Sequence, residues 1–142
     1  MEKKVIDSFV GEYRYLSNFW MAPVTYDGDV YASTEHAYQA AKTFNKADRA
    51  RIRKMSCADA KRYGRQVQLI EGWENKKIGI MEELVLQKFT VHTDLREKLL
   101  ATDDAEIIEG NTWGDREWGT VKGVGKNHLG KILMRVRKKL RG

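Results

Sequence analysis

Five of the chain's twelve glycines fall within twenty residues, Asn111 to Gly130 (NTWGDREWGTVKGVGKNHLG), and this clustering constrains the fold more than any other feature. Glycine loses the most backbone freedom on ordering and packs no side chain, so a core helix or strand tolerates few of them. The segment has to be a loop that bends sharply or lets a ligand approach its backbone. It carries Trp113, Trp118 and the carboxylate of Asp115, and it runs into LGKILMRVRKKL, where Leu129, Ile132, Leu133, Val136 and Leu140 recur at helical spacing. Gly123-Val124-Gly125-Lys126-Asn127 therefore sits just before, or within the first turn of, a helix. Free backbone N–H groups and a positive dipole there suit a phosphate. A glycine-rich surface loop whose tryptophans form a small core of their own fits the same residues, and both readings stand.

At 142 residues the chain suits one domain, 1–142, long enough to bury a proper core. No apolar run approaches the roughly 20 residues of a membrane span, and the N-terminal MEKKVIDSFVGEY has no apolar stretch of leader length. Cys57 is the only cysteine and the three histidines are scattered, so neither a disulfide nor a metal-ligand spacing is present. The expectation is a cytoplasmic protein with no cofactor, no metal and no membrane contact. The net charge of +6 favours an anionic partner and is concentrated in two places. Lys42 to Arg65 holds nine Lys or Arg against two Asp, and Lys126 to Arg141 holds seven against no acid. The default for Arg137, Lys138, Lys139 and Arg141 is a solvated helix face.

Along the chain, Val5 to Phe9 reads as a short strand. Pro23 to Tyr31 reads as a hairpin turned by Asp27-Gly28, a pair that accepts positive φ. Ser33 or Thr34 caps a helix running to about Phe44, Asp48 to Met55 forms another, and Ser56-Cys57-Ala58-Asp59 opens a third that Gly64 closes. Trp73 to about Val91 is a long amphipathic helix, Asp94 to Ala101 a shorter one, and Ala105 to Glu109 a strand. The sum is an α+β, mainly helical fold, a single compact domain with a few short strands packed with several helices.

Glu35 lies in the first turn of the helix after the hairpin, and Glu35, Tyr38 or Gln39, and Lys42 share one face. An acid in a first turn is ordinary helix chemistry. Yet Ala37, Tyr38, Ala40 and Ala41 mark this helix as packed in, and a carboxylate on a buried helix needs a partner or a purpose. Glu35 and Asp115 together are the kit for glycosidic cleavage through an oxocarbenium-like state, although spacing does not bring them together and Asp115 after Gly114 also suits a turn. The aromatic run Tyr13 to Trp20, with Arg14, Asn18 and Phe19, suits a ring and a phosphate. It equally suits a buried cluster, the reading preferred for Tyr15 and Trp20. Trp73 is a core anchor or a ring platform; His36, His92 and His128 are structural or surface residues.

In this order the pieces resemble the NADAR family. They are Arg14-Tyr-Leu-Ser-Asn-Phe19, Tyr26-Asp-Gly28, Ser33-Thr-Glu-His36 with Tyr38-Gln-Ala and Lys42, Lys61-Arg-Tyr-Gly-Arg65, Trp73, Lys88-Phe89, Leu99-Leu-Ala-Thr102, Asn111-Thr-Trp-Gly-Asp115, and Gly123-Val-Gly-Lys-Asn127 with Leu129-Gly130. The resemblance implies an N-glycosidase that breaks a ribose C1–N bond. The family's two substrate types are phosphoribosylamino-pyrimidine intermediates of riboflavin synthesis and ADP-ribose attached to guanine in nucleic acid. It makes Glu35 the catalytic carboxylate and Asp115 a second acid. It lines the pocket with Asn18, Phe19, Trp73, Asn111, Trp113 and Asn127, and gives phosphate to Arg14, Lys42 and the Gly123, Gly125 loop. The roles of Arg116 to Lys122 stay open. Two other classes compete: an ADP-ribose or nucleotide reader that binds without cleaving, and a basic nucleic-acid-binding protein with steeply salt-dependent affinity.

Overall fold

The backbone reverses at Asp27 (φ 49°) and Gly28 (φ 85°), the two successive positive-φ residues of a tight hairpin turn. They join β2 (Met21–Tyr26) to β3 (Asp29–Ser33), paired antiparallel with Val24 opposite Tyr31 and Tyr26 opposite Asp29. Alternation buries Ala22 and Val24 from one strand with Tyr31 and Ser33 from the other. These coordinates are a computed structural model that describes residues 4–142; of the N-terminal stretch weighed as a leader, residues 1–3 lie outside the described residues. The described chain is α+β and mainly helical, with six α-helices, one 3₁₀ helix and four short strands.

Contacts divide it into two compact units, Asn18–Lys88 and the residues up to Ser17 with Phe89–Gly142. In the first, the Ser33 hydroxyl accepts the His36 N–H and starts α1 (Thr34–Ala41). This helix stops short of the expected Phe44 because the Arg49 guanidinium occupies its end: Nε donates to the carbonyls of Ala40 (3.1 Å) and Thr43 (2.7 Å). Phe44 is left outside, 72% exposed. Asn45 caps α2 (Lys46–Arg53) and Ser56 caps α3 (Cys57–Tyr63), each through its side-chain oxygen. Helix α1 packs against β2, β3, α2 and α3, and every one of its residues is buried. Helix α4 (Trp73–Val91) follows, burying Met81, Leu84, Val85 and Phe89.

In the second unit, β1 (Val5–Ile6) pairs in parallel with β4 (Glu106–Ile107). Tyr15, in the 3₁₀ helix Gly11–Leu16, is buried edge-on to Phe89 and donates its hydroxyl to the Lys98 carbonyl. Helix α6 (His128–Leu140) packs on β4 and on α5 (Thr93–Leu100), burying Leu129, Ile132, Leu133 and Val136. Two expectations change. Arg137 is not on a solvated face: it is buried and donates to the Thr102 hydroxyl and the Ala105 carbonyl. Trp20, expected in an aromatic core, is 39% exposed.

Candidate active site

Glu35 occupies the first turn of α1, where its backbone N–H donates to the Asn18 carbonyl at 3.1 Å. Its carboxylate is inside the protein, and one oxygen, Oε2, accepts a hydrogen bond of 2.5 Å from Gln39 Nε2 one turn on. Burial raises its pKa above the ordinary value. The Gln39 hydrogen bond and the charges of Lys61 and Lys42 pull the other way without cancelling the rise. A carboxyl held above its usual range is suited to taking and returning protons near neutrality.

The neighbours of Glu35 carry several of the expected site residues. Lys42, at the end of α1, lies 5.6 Å from the centre of the Tyr38 ring, and Tyr38 packs in a tilted arrangement, centroids 5.3 Å apart, against the buried Trp73. Burial lowers the Lys42 pKa, with Glu35 opposing and Arg65, Lys77 and Lys61 adding to the fall. Lys61 lies 5.9 Å from the half-exposed ring of Phe19. Asn18 donates its side-chain N–H to the Met81 sulfur. Within Asn18–Lys88, then, Asn18, Phe19, Glu35, Lys42 and Trp73 are linked through direct contacts and through Tyr38 and Lys61.

A second titratable cluster lies on the same helix. His36 donates from Nε2 to the Met55 carbonyl (2.6 Å), and its Nδ1 lies 2.6 Å from the Ser33 hydroxyl oxygen. The Cys57 sulfur is 3.4 Å from Ser33 Oγ and 3.9 Å from that nitrogen. Burial pushes the Cys57 thiol up, but its hydrogen bonds to His36 and Ser33 outweigh this and hold it below an ordinary cysteine.

The glycine-rich loop is built otherwise than its sequence suggests. Four of the expected donors at the start of α6 are taken: Lys126, Asn127, His128 and Leu129 donate their N–H groups to the carbonyls of Arg116, Gly119, Glu117 and Trp118. Asn127, in the left-handed region at φ 54°, is buried and bonded through its side chain to Glu109 N–H (2.9 Å) and the Ile107 carbonyl (3.0 Å). Gly125 adopts φ +151° with a Cβ position 2.3 Å from the Gly119 carbonyl, so its glycine serves a backbone crossing. Gly123 is exposed, with nothing near its Cβ position. Asp115 Oδ1 accepts from the N–H groups of Glu117 and Trp118, and Asn111 bonds across the turn to both Asp115 N–H and Asp115 carbonyl. Trp113 is 63% exposed, and Arg14 is an exposed residue of the 3₁₀ helix.

Reasoning from sequence gave no role to Gln39 and Lys61 beside Glu35, or to the buried Lys88 of α4. Gln39 was visible only as one of two positions on the Glu35 face. Lys61 stood in a quoted run without a role. Lys88 continues the buried stripe of α4 and is 1% exposed, its pKa pushed down to about 7 by burial.

The family model that describes the NADAR domain matches residues 8–141. The chain is similar to N-glycosidase YbiA of Escherichia coli, 38% identical over 133 residues, covering 91% of this chain and 82% of that one. The NMR structure of the E. coli protein superimposes with a TM-score of 0.86 at 36% identity, over 99% of this chain and 87% of the other. An N-glycosidase of Nostoc punctiforme is 39% identical over 136 residues, 91% of this chain and 86% of the relative. A riboflavin biosynthesis protein of Vibrio vulnificus is 35% identical over 130 residues, 89% of this chain but 35% of that larger protein. The chain belongs to the NADAR domain family.

Proposed function

We infer that this chain is a hydrolase acting on N-glycosyl bonds, a role supported by its N-glycosidase relatives, and that Glu35 is its catalytic carboxylate. The substrate is a ribosyl group bearing phosphate, joined through C1 to nitrogen. The observation that carries this reading is the placement of Glu35: buried in a first helical turn, hydrogen-bonded by Gln39, and within the field of Lys42 and Lys61.

In this mechanism the C1–N bond breaks as positive charge builds on the ribose ring. The Glu35 carboxylate faces that charge, directs a water to C1 and takes its proton. The new C1–O bond completes the sugar hydroxyl, and the departing nitrogen acquires a proton. Water is the only co-reactant. Lys42 and Lys61 supply positive charge to the phosphate, a task the occupied amides of Lys126 to Leu129 do not share. Asn18, Phe19 and Trp73 border the sugar and base. Asp115 holds the loop turn through Oδ1, and its role as a second acid is secondary in this reading. One domain over the whole length carries the activity.

For the substrate, the Vibrio relative is named for riboflavin biosynthesis, which favours the amino-pyrimidine carrying ribose phosphate that the family resemblance implies. ADP-ribosyl guanine in nucleic acid presents the same C1–N bond and is the second reading, favoured by the basic stretch Lys42 to Arg65. Both substrates are incubated with the wild type and with Glu35→Gln, and the released sugar phosphate or ADP-ribose is measured. Wild-type release with almost none from Glu35→Gln is expected. Equal rates for the two proteins would remove Glu35 from the mechanism, and binding without release would make the chain a reader.

A further inference from the structure

The side chain of Gln39 is asymmetric in its surroundings. Nε2 donates to Glu35 Oε2 at 2.5 Å, while Oε1, inside the protein, has no hydrogen-bond partner. Only the amide's NH₂ end can donate to a carboxylate, so Glu35 dictates which way round the amide sits. Leaving a carbonyl oxygen buried and unpaired is unfavourable, and an apolar side chain of the same length would avoid it. Fold stability alone therefore does not account for glutamine at this place.

Gly64 supplies the second observation. It ends α3 with φ −62° and ψ −15°, a right-handed conformation open to any residue, so the turn itself does not require glycine. A Cβ built there would sit 1.8 Å from Gln39 Oε1 and 2.8 Å from its Cδ. The missing side chain is the space the amide occupies. Gln39 and Glu35 stand four residues apart on a helix buried along its whole length, which fixes their spacing.

We propose that Gln39 is the positioning residue of Glu35, and that glycine at position 64 leaves the room in which the Gln39 amide takes the one orientation that donates to the carboxylate. The proposal rests on the reading of Glu35 as the catalytic carboxylate and adds how that carboxylate is kept aimed and ionised. Gln39 touches Glu35 and acts through it. The bond favours the charged form of a group whose burial favours the neutral one.

The test follows the Glu35 side-chain carboxyl directly, by carbon NMR titration of the full chain labelled at glutamate. Wild type, Gln39→Met, Gly64→Ala, Gln39→Ala and the double variant Gln39→Ala with Gly64→Ala are compared, with Glu35→Gln identifying the signal. Gln39→Met keeps the length and removes the donor, so Glu35 should titrate at higher pH than in the wild type. Gly64→Ala should move it the same way by displacing the amide. In the Gln39→Ala background, Gly64→Ala should have no further effect. Where turnover is measured, kcat at neutral pH should fall roughly tenfold to a hundredfold in Gln39→Met, the scale of losing a hydrogen bond to a charged group, and the acidic limb of its pH profile should rise.

An unmoved Glu35 titration in folded Gln39→Met overturns the proposal. So does a Gly64→Ala effect of equal size with and without Gln39, which would make position 64 a packing site only. If Gln39→Met does not fold, Gly64→Ala alone decides, through the same titration. Loss of the catalytic reading is distinguishable: Glu35→Gln would then turn over normally whatever the titration does.

Discussion

Lys88 carries a measurable consequence of its burial. A lysine in water titrates at 10.5, whereas Lys88 titrates at about 7 because its ammonium is desolvated. At about 1.4 kcal/mol for each pH unit of displacement, keeping the proton in the folded state costs about 5 kcal/mol, a large part of a typical domain's stability. Between pH 7 and 10.5 the unfolded chain holds this proton and the folded chain does not. Unfolding then takes up a proton, so raising the pH through this window favours the folded state. Below pH 7 both states are protonated and the penalty is constant.

The comparison is with Lys88→Met, which keeps the stem and lacks the charge. Urea unfolding of both proteins from pH 6 to 9.5 isolates the lysine, because every other titrating group is common to the two. The unfolding free energy of the wild type should gain on that of the variant by about 1.4 kcal/mol per pH unit above 7, and by nothing below 7. The offset at any single pH also contains packing differences; the slope does not. A difference that stays flat from pH 7 to 9.5 would mean Lys88 keeps an ordinary pKa in the folded protein, and the desolvation reasoning would fail.

Asp115→Asn should keep turnover close to wild type, since an asparagine oxygen accepts the same two N–H groups from Glu117 and Trp118; a thousandfold loss of kcat would return Asp115 to the chemistry. Asn127→Ala should lower stability by about 1–3 kcal/mol for each backbone group it orphans, at Ile107 and Glu109, with faster hydrogen exchange at the Glu109 amide. An unchanged exchange rate there would contradict the assignment of Asn127 to the scaffold. The Cys57 thiol should react with iodoacetamide at lower pH than a free cysteine, and His36→Asn should move that dependence upward, because the His36 and Ser33 hydrogen bonds outweigh burial. A midpoint the same in both proteins would show that the imidazole does not act on the sulfur.

Local chemistry was the legible part of this sequence. Asp27-Gly28, Ser33 and Ser56 mark a turn and two helix starts by rules that involve only near neighbours, and each is found where those rules put it. The end of α1 was not readable, because a guanidinium eight residues beyond the helix, at Arg49, takes the Ala40 carbonyl in its last turn and the Thr43 carbonyl just past it. The path of the glycine-rich loop was hidden for a similar reason. Glycines before a helix suggest open amides, and only the three-dimensional path reveals that residues 116–119 run alongside residues 126–129 and fill them. Gly64 is a further case: it closes α3 as its position suggested, but the sequence gives no sign that a Cβ there would meet the Gln39 amide, far along the chain.

Helix α1 has no solvent face, and this decides what its polar residues are for. An ordinary surface helix can put Glu35, His36 and Gln39 into water at no cost, but here all three are buried. His36 is satisfied by Ser33 and Met55, a structural solution that closes on itself. Glu35 and Gln39 do not reach such closure: one amide bond joins them, and Gln39 Oε1 remains unpaired. A helix selected for stability alone would carry apolar residues at both positions, as it does at Ala37, Ala40 and Ala41. The incomplete pairing is what a site needs if its carboxylate must exchange a partner for water and sugar during each turnover. On this ground the proposed chemistry is assigned to Glu35 and not to the glycine-rich loop that dominates the sequence.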